Sequence, residues 1–171
     1  SQKQLAYAAI TLENLSWVRT HLANNLKNLS LTDEELAIKE SLKFKMEGGN
    51  TIVELTNIGI CRDPSGLARI SRATGLNVVM GSSYYIGASH PPELASRSIE
   101  DIAEDIVNDV VNGVGQTGVR AGIIGEIGCS TPLKETEKKV LAASAVAQKH
   151  TGVAISIHPG SDDREILEVI E

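Results

Sequence analysis

A chain of 171 residues with 42% hydrophobic and 22% charged residues can bury one substantial core. No apolar run approaches the roughly 18 residues that cross a bilayer. The formal net charge of −6 comes from interspersed acids and bases with no basic stripe, which argues against nucleic-acid and anionic-membrane partners. The two cysteines, Cys61 and Cys129, stand far apart, so a disulfide framework is not expected and a reducing, cytoplasmic setting is. The start SQKQLAYAAITLENLSW (1–17) lacks the basic, apolar and small-residue order of a secretory signal. The sequons at Asn14 and Asn28 therefore read as chance matches.

In chain order, residues 1–50 read as a helical lead-in and 51–171 as βα units of one domain. Leu5, Ala8, Ala9 and Leu12 fit one apolar stripe that Leu15 continues. Thr32 with Glu35 reads as a capping box, opening a helix through Leu36, Ile38, Leu42 and Phe44 that Gly48-Gly49 ends. TIVELTNIGI (51–60) predicts a strand, and Pro64 to Thr74 a helix stopped by Gly75. LNVVMGSSYY (76–85) predicts a second strand. A loop leads to a helix over 98–112, with Ser98 and Asp101 as its cap. VRAGIIGEIG (119–128) predicts a third strand, followed by a long helix from Thr131-Pro132 to His150. GVAISIHPG (152–160) predicts a fourth, with Asp162 or Asp163 starting a last helix.

Fourfold strand–helix alternation implies a parallel sheet, and continuous Val/Ile runs imply strands covered on both faces. Two architectures fit: an open doubly wound sheet, or part of a (β/α)8 barrel. Only about 120 residues carry the pattern, whereas a closed barrel needs roughly 200 or more.

Glu126 interrupts the apolar run GIIGEIGCS (122–130), and His158 ends VAISIHPG (153–160). A carboxylate is costly to bury without a partner. A carboxylate and an imidazole at neighbouring strand exits suit zinc or a similar divalent ion. A buried structural ion pair or a hydrogen bond to backbone for Glu126, and a polar strand end for His158, are the alternatives. Tyr84 and Tyr85 end the second strand, where they could line a substrate pocket or pack against the following loop. His90 reads as an exposed loop residue, and His21 and His150 as surface residues on helices. Arg62-Asp63 read as a helix cap or an ion pair, and the acidic clusters at 100–105 and 162–165 as solvated helix faces. Gly113-Val-Gly115-Gln-Thr-Gly118 matches a dinucleotide fingerprint but follows a helix and precedes a strand, the reverse of what that loop requires. A flavodoxin-like nucleotide binder is disfavoured for the same reason.

TIVELTNIGICRD (51–63), SRATGLNVVMG (71–81), AGIIGEIGCSTPLKETEKKVLAASA (121–145) and TGVAISIHPG (151–160) together resemble the phosphotriesterase family of the amidohydrolase superfamily, nearest its animal phosphotriesterase-related branch. The resemblance runs roughly from residue 10 to the end. It implies a (β/α)8 barrel with two divalent metals, usually zinc, per complete site. Glu126 matches the carboxylate that bridges both metals, His158 a metal-binding histidine on the fifth strand, and Tyr85 the aromatic residue beside the substrate. The family's H-x-H pair, a further histidine and the general-base aspartate have no match in this sequence. The expectation is a partial barrel of about four βα units, covering strands two to five. The activity the resemblance implies is hydrolysis of a small-molecule amide such as N-acetyltaurine, or of an ester, by a metal-activated water, with weak or no turnover by this chain alone. A non-catalytic binding module is the alternative, and exposed sheet edges leave a homo-oligomer open.

Overall fold

The computed structural model describes residues 1–160. The helix expected from Asp162 or Asp163, and the acidic cluster at 162–165, lie outside the described residues. The chain forms two compact units, Ser1–Lys39 and Glu40–Glu171.

The first unit contains α1 (Gln2–Tyr7), α2 (Leu15–Thr20), a 3-10 turn at Leu22–Asn24, α3 (Leu26–Leu29) and the start of α4 (Glu34–Met46). The stripe expected through Leu12 does not form: α1 stops at Tyr7, and Leu12 is 91% exposed. Asn14 supplies the reason. Its Oδ1 accepts from the Thr11 N–H at 2.8 Å and its Nδ2 donates to the Ala9 carbonyl at 2.8 Å. Side-chain bonds of this kind offer the backbone an alternative to the helix ladder. Asn25, fully buried, donates to the Leu5 and Ala8 carbonyls while its Oδ1 caps Asn28. The expected Thr32 cap is also corrected. Asp33 Oδ1 accepts from the Leu36 N–H at 3.0 Å, so the helix starts one residue later, with Glu34 and Glu35 in its first turn.

The second unit carries four parallel strands in the order β1 (Thr51–Glu54), β2 (Asn77–Ser82), β3 (Ile123–Gly128) and β4 (Ile155–His158). Between them run α5 (Pro64–Thr74), α6 (Ile99–Val111) and α7 (Glu135–Thr151). This is a partial (β/α) barrel. The caps follow the chemistry of the sequence. Asp63 accepts from the Gly66 N–H, Pro64 opens α5, and Gly75 at φ +65° closes it. Ser98 and Asp101 form a reciprocal capping box on α6.

Every strand is shorter than its apolar run. After β1, Thr56 turns its backbone N–H and its hydroxyl onto the Glu54 carboxylate, and strand-type pairing resumes at an Ile58–Tyr84 bridge. Before β3, the glycine-rich stretch 113–118 makes the turn between α6 and β3, with Gly113, Gly115 and Gly118 all at positive φ. The long helix opens at Glu135, past the expected Thr131-Pro132.

Helices α6 and α7 cover β3. Ile102, Ile106, Ile124, Ile127, Val140, Ala143 and Ala147 are each at most 1% exposed. Each fully buried isoleucine contributes about 1.5–3 kcal/mol relative to exposure. The alanines of α7 let α6 approach closely. Beside this core, the Arg62 guanidinium, 7% exposed, meets Asp109 at 2.7 Å and the Gly81 carbonyl at 3.1 Å, and Ser82 also donates to Asp109. Asp109→Ala strands that buried cation. It should cost about 3–5 kcal/mol, whereas loss of the exposed α5 cap in Asp63→Ala should cost about 1 kcal/mol. Urea unfolding midpoints measure both.

Candidate functional site

The site grows from an irregularity in β3. The pairing of β3 with β4 shifts register between Ile124 and Ile127. A bulge of this kind re-aims side chains. Here both isoleucines enter the helix-covered core while Glu126, between them, stays 28% exposed. The bulge is held from the segment after β1: the Glu126 N–H donates to the Leu55 carbonyl at 3.0 Å, and the fully buried Asn57 side chain donates to the Glu126 carbonyl. Gly125 lies at φ +135°, a conformation that favours glycine, and a Cβ there would strike the Ser156 carbonyl.

His158 ends β4 opposite Gly128. Its Nδ1 lies 3.2 Å from Glu126 Oε2, and its Nε2 lies 3.5 Å from the Tyr85 hydroxyl, the outer reach of a hydrogen bond. The Tyr85 and His158 rings meet edge-on with centroids 5.4 Å apart. The Tyr85 segment can lie this close because residue 128 is glycine: a Cβ there would collide with the backbone of Tyr85 and Ile86. All three residues picked from the sequence thus converge at the exit ends of β2, β3 and β4. The His158 side chain is 49% exposed, so the imidazole remains open to a ligand. Burial raises the Tyr85 phenol above its ordinary value and the Glu126 charge raises it further, which keeps the hydroxyl protonated at neutral pH.

A carboxylate and an imidazole so placed fit a divalent ion in donor chemistry and supply two protein donors. Among the described residues no three of His, Cys, Asp and Glu gather as a metal-binding group.

Other polar residues fall elsewhere. Tyr84 is buried, its hydroxyl shared between Arg97 and Asp105, so Asp105 is paired and not simply solvated. His90 is half-buried, contrary to its reading as an exposed loop residue: its Nε2 meets the Tyr85 carbonyl at 2.7 Å, and burial lowers its basicity. The loop folds inward there because Leu94 anchors it at 1% exposure.

Sequence reasoning missed Glu137. Its carboxylate is fully buried and accepts four hydrogen bonds: from Gly87 N–H at 2.7 Å, Ser130 N–H at 3.0 Å, Ser130 hydroxyl at 2.6 Å and Lys134 N–H at 2.9 Å. Placing the start of α7 at Lys134 would have exposed the signal, a glutamate at the third helical position. Burial pushes this carboxyl upward, but the donors from Lys134, Ser130 and Gly87 outweigh it and hold the group below the ordinary carboxylate value.

Fold and site define a parallel βα-barrel module that carries a carboxylate and an imidazole at adjacent strand exits. The phosphotriesterase family model matches residues 4–171, and the chain belongs to that family of metal-dependent hydrolases. It is 45% identical over 163 residues to a phosphotriesterase-related protein of Nematostella vectensis, spanning 94% of this chain and 47% of that protein. It is 43% identical over 169 residues to an N-acetyltaurine hydrolase of Dictyostelium discoideum, spanning 99% and 46%. The chain therefore spans about half the length of the curated relatives it matches. Among solved structures, a resiniferatoxin-binding protein from Rhodobacter sphaeroides superposes with TM-score 0.88 at 43% identity, covering 92% of this chain and 44% of that one. The phosphotriesterase homology protein of Escherichia coli, complexed with phosphate in its active site, superposes with TM-score 0.80 at 30% identity, covering 88% and 53%.

Because the folded Glu137 carboxyl is more acidic than an unfolded one, its contribution to stability is full at neutral pH. It is lost as pH falls below about 4.3 and through the folded value. The stability gap between wild type and Glu137→Gln should therefore narrow with acidification, as measured by denaturant unfolding across that range.

Proposed function

We propose that this chain supplies metal-binding and substrate-facing residues of a hydrolase that cleaves a small N-acyl amide such as N-acetyltaurine, with zinc as the ion. The observation that carries the reading is the Glu126–His158 pair, 3.2 Å apart at neighbouring strand exits and open to solvent. Relatives named N-acetyltaurine hydrolase, 43% identical in Dictyostelium discoideum and 39% in Homo sapiens, support an amide over a phosphotriester.

In this reading Glu126 supplies negative charge and His158 a neutral nitrogen donor. When bound, the ion would polarise the scissile carbonyl and acidify the attacking water. Asn57 and Leu55 fix the backbone of Glu126, so its carboxylate need not be ordered when the ion arrives. Tyr85, kept protonated, offers a hydroxyl donor to a substrate oxygen and an apolar ring edge that screens His158 from bulk water on one side.

Zinc-loaded chain should cleave N-acetyltaurine slowly. Cleavage should stop on chelation and fall by at least about tenfold in His158→Ala. Release of taurine measures it. Cleavage that survives chelation, or faster cleavage of a phosphotriester such as paraoxon, overturns the reading.

A further inference from the structure

The hydrolytic reading leaves without a role a fully buried carboxylate that accepts four hydrogen bonds. Glu137 reaches back to the Lys134 N–H as a helix cap does, but a cap at a helix start needs only one acceptor site and ordinarily sits in water. Here the carboxylate is fully buried, and its other three bonds leave α7 altogether. Two go to Ser130, two residues beyond the end of β3. One goes to Gly87, two residues beyond Tyr85. The loops that leave β2 and β3 are thus tied to one another through a single side chain.

We propose that Glu137 is a positioning residue for the site: by holding Gly87 against Ser130 it sets Tyr85 edge-on to His158. The inference rests on the reading of Tyr85 as the substrate-facing residue. The other restraints on the segment point the same way. The Tyr85 N–H donates to the Ile58 carbonyl at 3.1 Å, which ties it to the segment after β1; Gly128 donates to the Tyr84 carbonyl at 3.4 Å, a long bond, and His90 holds the Tyr85 carbonyl from within the same loop. None of these ties that loop firmly to the loop after β3, and Glu137 does. Each oxygen serves two donors: Oε1 takes Gly87 and the Ser130 hydroxyl, Oε2 takes the Ser130 and Lys134 N–H groups. In Glu137→Gln the amide nitrogen cannot accept, so whichever way the side chain turns at least one backbone N–H, that of Gly87 or those of Ser130 and Lys134, faces a donor.

The test is the His158 ring signals in NMR spectra of the full chain, assigned with His158→Ala. Tyr85→Leu defines the signals without the aromatic neighbour. Glu137→Gln should move them toward the Tyr85→Leu position, and the milder Ser130→Ala should move them less in the same direction. Val140→Ala, which loosens the same helix from the core without touching this network, should leave them in place. Wild-type signals in both Glu137→Gln and Ser130→Ala, or an equal shift in Val140→Ala, overturn the proposal. If Glu137→Gln does not fold, Ser130→Ala against Val140→Ala decides alone. The functional reading fails separately: zinc-dependent cleavage unaffected by Tyr85→Leu removes Tyr85 from the site while the ring signals still report whether Glu137 positions it.

Discussion

The site depends on a slipped register in β3. A strict alternation would put Ile124 and Glu126 on one face and send Ile127 to the other. The shift between Ile124 and Ile127 lets both isoleucines enter the core under α6 and α7 while Glu126 turns away from it. The chain holds this irregularity by main-chain bonds from Leu55 and by the buried Asn57 amide, not by side-chain packing alone. Without the slip, either the carboxylate would enter the apolar layer, at a cost of several kcal/mol for an unpaired charge, or an isoleucine would leave it.

A second constraint acts one level out. Beyond the single Ile58–Tyr84 bridge, the loops after β2 and β3 leave the sheet, and such loops are ordinarily the mobile part of a βα unit. Glu137 answers this with one buried carboxylate shared among Gly87, Ser130 and Lys134, and Arg62 with Asp109 does the same for the segment after β1. The exits of β2 and β3 thus share one buried carboxylate. Glycine at 128 completes the arrangement by letting the Tyr85 backbone lie directly on β3.

Much of this was legible in the residues. The alternation of Val/Ile runs with capped helices gave the parallel order. Asp63 and Ser98 marked helix starts by their own chemistry, and a lone glutamate and a lone histidine at the ends of apolar runs marked the site. The errors have physical sources. Apolar residues before β3 and after β2 read as strand because they are buried without belonging to a continuous strand: Ala121 is buried outside β3, and Tyr84 is buried past the end of β2 with a single bridge to Ile58. Thr32 and Asp33 are both good caps, and only the folded register chose Asp33. Glu137 sits among Glu135, Lys138 and Lys139, where composition reads as a solvated helix face; its place three residues after Lys134 marks a helix cap, but not that the carboxylate is fully buried.

The central claim is that Glu126 and His158 act together on one ion. Zinc titration of wild type, Glu126→Gln, His158→Ala and the double variant tests it most directly. The account predicts that either single change removes most of the affinity and that the second adds little, the non-additivity expected of two ligands of one ion. Wild-type affinity in both single variants, or strictly additive losses, would contradict it.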